Sequence, residues 1–231
     1  MIGVTENLGL IRDLLAEAAV DAGRDPSAVN LLAVSKTKPV DMVLEAAGAG
    51  QRDFGENFVQ EGVDKIAATA GRDLVWHFIG HLQSNKTRMV AEHFDWVHTI
   101  DRLKIARRLS AQRPGARADL NVCIQVNIDD EPGKSGVGEA ELPGLARSVA
   151  ALPRLRLRGL MCLPAMREGF EAQREPFARM RRLADDLTAS GIPLDTLSMG
   201  MSDDFRAAIF EGSTIVRIGT AIFGARNPTS E

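Results

Sequence analysis

Lys36 ends an apolar run, Leu31-Leu32-Ala33-Val34-Ser35, and is followed by Thr37, Lys38 and Pro39. A short apolar run stopped by a breaker reads as a buried strand. A lysine at its end stands where the core stops and a cavity can begin. Desolvation there disfavours the ammonium, and a second cation such as Lys38 close by pushes the same way. The neutral amine that results attacks a carbonyl to form a Schiff base. An ordinary surface lysine at a strand end has the same local sequence, so the choice depends on what else reaches the same place.

The surrounding pattern alternates strand with helix. Leu8, Ile11, Leu15, Ala18 and Ala22 recur at helical spacing before Gly23 and predict an opening amphipathic helix. Apolar runs then predict strands near 31–35, 52–56, 74–80, 94–100, 120–128, 155–163, 194–198 and 214–218, with helical periodicity between them. Strands alternating with crossover helices pair in parallel, and eight such units close into a barrel. The expectation is an α/β fold, one (β/α)8 TIM-barrel domain over residues 1–231 with an extra N-terminal helix. A doubly wound open sheet competes, but no GxGxxG follows the first strand. Gly133-Lys134-Ser135 resembles the end of a P-loop, yet Ile128 stands where that motif needs glycine.

Barrel chemistry sits at the C-terminal strand ends. Those ends carry Lys36, then Glu56-Asn57, then His81, Thr99, Asn127 and Met161. The last two carry Ser198-Met199-Gly200-Met201-Ser202 and Arg217-Ile218-Gly219-Thr220. Two of these ends read as a phosphate cup. Ser202 precedes Asp203-Asp204-Phe205 and is placed to stand at a helix N-terminus, and Gly219-Thr220 adds a glycine and a hydroxyl. Barrels commonly bind phosphate after strands seven and eight. A plain N-cap at Ser202 is compatible with that role. A Schiff-base lysine and a phosphate cup in one mouth point to pyridoxal 5′-phosphate.

The chain closely resembles the bacterial pyridoxal phosphate homeostasis protein family over nearly its whole length. The motifs are Leu-Leu-Ala-Val-Ser-Lys-Thr-Lys-Pro at 31–39, Phe-Gly-Glu-Asn at 54–57 and His-Phe-Ile-Gly-His-Leu-Gln-Ser-Asn-Lys at 77–86. Gly-Leu-Met at 159–161, Met-Gly-Met-Ser-Asp-Asp at 199–204 and Val-Arg-Ile-Gly-Thr-Ala-Ile-Phe-Gly at 216–224 follow in order. Many relatives have proline where His81 stands. The resemblance implies that Lys36 carries the cofactor as a Schiff base. It implies that Gly200, Met201, Ser202, Gly219 and Thr220 cradle its phosphate and that Arg217 faces the pyridine nitrogen. Asn57 and Met161 are implied to neighbour the ring and its phenol oxygen. The fold implied is the barrel half of the alanine racemase type, without its second domain.

The same residues favour a carrier over an enzyme. Carbanion chemistry on this cofactor uses a protonated ring as electron sink, and an arginine partner stays cationic and weakens that sink. Alanine racemases use a tyrosine opposite the lysine, and this chain has no Tyr. The expected function is non-catalytic binding of pyridoxal phosphate in its intracellular homeostasis, with apo-enzymes as acceptors. A pyridoxal phosphate-dependent amino acid racemase is the alternative, and an interaction module using the ligand for stability is a third.

Composition narrows the classes. A net charge of −3 is not built to attract nucleic acid or an acidic membrane. Cys123 and Cys162 are isolated, which suggests buried free thiols rather than a zinc site or disulfides. His77 and His81, on a strand and its loop, do not read as a metal pair. The N-terminus reads as having no secretory leader, and no uncharged run approaches membrane-spanning length. The expectation is a cytoplasmic monomer.

Overall fold

Leu31, Leu32 and Ala33 are buried in β1 (Asn30–Val34), so the apolar run before Lys36 is a strand of the core. The structure is a computed structural model, and it describes residues 3–225. After β1 come α2 (Val40–Gly48), β2 (Asp53–Glu56), α3 (Val59–Ala68), β3 (Val75–Phe78), α4 (Thr87–His93), β4 (Trp96–Ile100) and α5 (Leu103–Gln112). β5 (Leu120–Val126), α6 (Leu142–Ala150), β6 (Leu155–Cys162), α7 (Phe170–Ala189), β7 (Thr196–Ser198), α8 (Phe205–Phe210), β8 (Ile215–Ile218) and α9 (Thr220–Phe223) complete it.

The strands form a closed barrel in sequence order, all pairs parallel. β1 closes the ring by pairing with β8, with Leu32 opposite Arg217. The (β/α)8 architecture expected from the alternation is present, and so is the extra N-terminal helix. That helix, α1 (Val4–Asp21), buries Val4, Leu8, Ile11, Leu15 and Ala18. This three-and-four spacing lays one stripe on the protein. The stripe rests against α2, α8 and α9, and Asn7 Nδ2 donates to the carbonyl of Ile222 at 2.9 Å.

Two details at the mouth differ from expectation. α8 begins at Phe205 with Asp204 as its N-cap, so Ser202 lies in the turn before the helix rather than at its N-terminus. The reason is local: the Asp204 carboxylate takes the Met201 N–H at 2.6 Å, and the Phe205 N–H reaches the Met201 carbonyl at 2.8 Å. The short helix α9 directly after Gly219 was not foreseen, because four residues show no periodicity.

Candidate functional site

A cavity of about 680 Å³ opens at the C-terminal strand ends. Lys36, Asn57 and Met161 line it, as do Met201, Ser202, Arg217, Gly219 and Thr220. Of the nine residues expected at the site, Gly200 alone is not part of the lining. Its role is conformational. Gly200 has φ +95°, and a Cβ there would stand 2.7 Å from the Ala208 Cβ, while its carbonyl accepts the Arg217 N–H at 3.0 Å. Only glycine takes such a backbone without strain. The volume falls within the usual range of roughly 300–1,000 Å³ for small-molecule sites.

Lys36 is half-buried just beyond β1, and the residues on both sides of it are clamped. Ser35 Oγ donates to Glu56 Oε1 at 2.6 Å. Lys65 Nζ, from α3, donates to Ser35 O at 2.7 Å, to Glu56 Oε1 at 2.8 Å and to Glu61 Oε1 at 2.7 Å. Glu61 Oε1 also accepts the N–H of Thr37 at 2.6 Å, and Thr37 takes the left-handed conformation, φ +61°. One buried ion cluster therefore fixes the backbone before and after Lys36. Burial holds the Glu56 carboxyl above its ordinary value, although Lys65 and Ser35 pull it down. Lys38 donates to the carbonyls of Gly224 and Ala225.

Arg217 is buried on β8. Its Nη1 donates to the carbonyl of Ser198 at 2.6 Å and to Ser198 Oγ at 2.7 Å, and its Nη2 to the carbonyl of Cys162 at 2.9 Å. Burial lowers its affinity for the proton, and Cys162 and Asp204 oppose that. Three neutral acceptors thus aim a cation at the cavity without cancelling its charge.

The loop after β5 reaches the mouth. Asn127 caps it, donating from Nδ2 to the carbonyl of Glu131 and accepting the Glu131 N–H at Oδ1. Gln125 Nε2 donates to the carbonyl of Ser135 at 3.1 Å. Lys134, Ser135 and His81 line the cavity, and Ser135 Oγ lies 3.1 Å from His81 Nδ1. The lining then holds the basic side chains Lys36, Lys134 and Arg217 against the Asp203 carboxylate, with Lys134 paired to Glu131 outside it. On a chain with net charge −3, this local excess favours an anionic ligand.

Sequence reading passed over several buried polar groups. The Glu56–Lys65 cluster under Lys36 is one. His77, His98 and Ser198, hydrogen-bonded in line across the barrel interior, form another. A histidine at alternate positions of two neighbouring strands, 77 and 98, was the available signal. Both cysteines are buried, and burial pushes each thiol up to about 12. Among the described residues, no cluster of three or more His, Cys, Asp or Glu side chains is placed to hold a metal ion. Nor is any helix long and apolar enough to cross a membrane.

A closed parallel barrel with a lysine at the end of β1 and an arginine on β8 defines a class. The family described as alanine racemase, N-terminal domain, matches residues 17–227. A pyridoxal phosphate homeostasis protein of Pseudomonas aeruginosa is 57% identical over 98% of this chain and 97% of its own. That of Escherichia coli is 56% identical over 98% of each. PipY of Synechococcus elongatus, solved with PLP bound, superposes with a TM-score of 0.83 at 37% identity, covering 96% of this chain and all of PipY. Within the alanine racemase N-terminal class, the chain belongs to the pyridoxal phosphate homeostasis protein family.

Proposed function

We propose that the protein binds pyridoxal 5′-phosphate in this cavity and serves in its homeostasis as a carrier, without catalysing a reaction of its own. The observation that carries this reading is the meeting of Lys36, Arg217 and the hydroxyls of Ser202 and Thr220 in one cation-rich cavity. The donor set suits the ligand: an amine for an aldehyde, hydroxyls for a phosphate, and Met161, Val34 and Ile79 as apolar walls for a ring. PipY, a relative of the same fold, holds PLP.

When bound, the ligand brings an aldehyde that a lysine amine captures reversibly. The protein's part is to bind and orient. Lys36, fixed by the Glu56–Lys65–Glu61 cluster, supplies the amine. Ser202, Thr220 and the backbone at Met201 and Gly219 receive the phosphate, with Gly200 shaping that turn. Asn57 and Met161 flank the ring. Arg217 would face the ring nitrogen as a donor that keeps its protons, which would disfavour protonation of that nitrogen and so suppress turnover. The carrier reading rests on Arg217 in that place and on the absence of Tyr from the chain.

In the same reading residues 1–231 act as one domain, a cytoplasmic monomer whose acceptors are apo-enzymes that need the cofactor. The test is reduction with borohydride in the presence of pyridoxal phosphate, followed by peptide mass spectrometry. The pyridoxyl group is expected on Lys36, out of the six lysines, and is lost in Lys36→Ala. An adduct found mainly elsewhere refutes the site. Deuterium exchange at Cα of common amino acids tests the carrier reading, and robust exchange with any of them overturns it in favour of a racemase-like enzyme.

A further inference from the structure

Beneath the cavity an unbroken line of hydrogen bonds crosses the barrel. Arg217 Nη1 lies 2.7 Å from Ser198 Oγ, and Ser198 Oγ lies 2.8 Å from His98 Nδ1. His98 Nε2 lies 2.9 Å from His77 Nδ1, and His77 Nε2 lies 2.9 Å from Asp53 Oδ1. The line joins β8, β7, β4, β3 and β2. Ser198, His98 and His77 are buried. The Asp53 side chain is 20% exposed and lines a separate cavity at the N-terminal ends of β1 and β2, beside Arg12 and Arg52. The line thus begins in the ligand cavity and ends in contact with solvent at the other end of the barrel.

The chemistry of the two ends dictates one order of protons. A guanidinium only donates, so Ser198 Oγ accepts from Arg217 and has its own hydrogen to give to His98 Nδ1. An ionised carboxylate only accepts, so His77 Nε2 carries a hydrogen toward Asp53. His98 accepts at Nδ1, so its one ring hydrogen lies on Nε2 and is given to His77 Nδ1. Both ends demand the same tautomer of His98, and every bond in the line points from Arg217 to Asp53. Bonds aligned in this way polarise one another.

We propose that Asp53, His77, His98 and Ser198 are a positioning relay that orients the Arg217 guanidinium in the cavity, with the proton order set from both ends and strengthened along the line by the Asp53 carboxylate. The relay acts on the ligand through Arg217 alone, and that consequence rests on the pyridoxal phosphate reading. A proton added at His77 Nδ1 would force His98 to donate toward Ser198. Ser198 Oγ would then meet two donors, and its hydrogen would lose its acceptor. The surroundings of His98 oppose its own protonation. Burial first, then His77 and Arg217, hold His98 well below the ordinary imidazole value. His77 stacks on Trp96 at 5.3 Å, and Arg158 covers the Trp96 ring at 4.8 Å while paired with Asp195.

The experiment is long-range proton–nitrogen correlation of the four histidines in the full, ligand-free chain. Neutral Nε2–H tautomers of both His77 and His98 at neutral pH are expected. In Asp53→Ala the His98 pattern is expected to move, although Asp53 touches only His77, and in Asp53→Glu it is expected to return toward that of the parent. A protonated or Nδ1–H His98, or a His98 unmoved by Asp53→Ala, overturns the relay. If Asp53→Ala does not fold, the tautomers of the unaltered chain decide the matter. Pyridoxal phosphate titration supplies the second arm, where Asp53→Ala and Ser198→Ala are expected to raise Kd several-fold. If the unaltered chain takes up no pyridoxal phosphate, the functional reading fails, while the ligand-free tautomers still decide the relay.

Discussion

Lys65 Nζ lies 2.7 Å from the carbonyl oxygen of Ser35, the residue just before Lys36. The reach is from α3 to the end of β1, and the ammonium also meets Glu56 and Glu61. The position of Lys36 is therefore set by a second lysine that does not itself line the cavity.

Lys65→Met is expected to cost stability by about 3–5 kcal/mol, because it strands the buried Glu56 carboxylate. Urea unfolding measures this. The deficit should shrink as pH falls, since the Glu56 carboxyl already sits above its usual value and a protonated acid needs no cation. Adding Glu56→Gln should restore part of the loss. An unchanged midpoint in Lys65→Met would remove the clamp from the account of Lys36.

Gly200→Ala tests the turn behind the proposed phosphate seat. The backbone at φ +95° is strained for any side chain, and the new methyl would stand 2.7 Å from the Ala208 Cβ. A loss of about 1–3 kcal/mol is expected from the strain, together with weaker uptake of pyridoxal phosphate in equilibrium dialysis. Gly71→Ala, also at positive φ but with nothing within 4 Å, separates the two effects: it should cost stability and leave uptake unchanged.

The two thiols predict an alkaline limb of instability. Each folded-state thiol is raised from 9.0 to about 12. The native state then keeps protons that the unfolded chain releases, so stability is full below pH 9 and falls as pH rises toward 12. The limit is about 4 kcal/mol per thiol, at about 1.36 kcal/mol per unit. Cys123→Ala and Cys162→Ala should each flatten the limb. An aromatic disulfide reagent at mildly alkaline pH should react only as fast as the chain opens.

Legibility in the sequence divides by range. The strand before Lys36 and the stripe on α1 are local patterns, and both are present with their expected burial. The convergence of residues 36, 57, 161, 202, 217 and 220 on one cavity followed from the alternation, because a barrel sends every strand end to one face. What escaped was pairing without a local period. His98 and Ser198 meet from positions 100 apart in sequence, and Lys65 reaches back 30 residues to Ser35. The misplaced start of α8 has another cause. Ser202 and Asp204 are both good N-caps by type, and only the Met201–Asp204 contact decides between them.

The pairing of β1 with both β2 and β8 has a consequence during synthesis. The strand that presents Lys36 is made early, yet its second neighbour begins only at Ile215. At roughly 5–20 residues per second on the ribosome, that edge stays open for about 10–40 s. An unsealed edge is a template for other chains, so the nascent protein is most exposed to misassociation along the same strand that leads into Lys36 at the cavity.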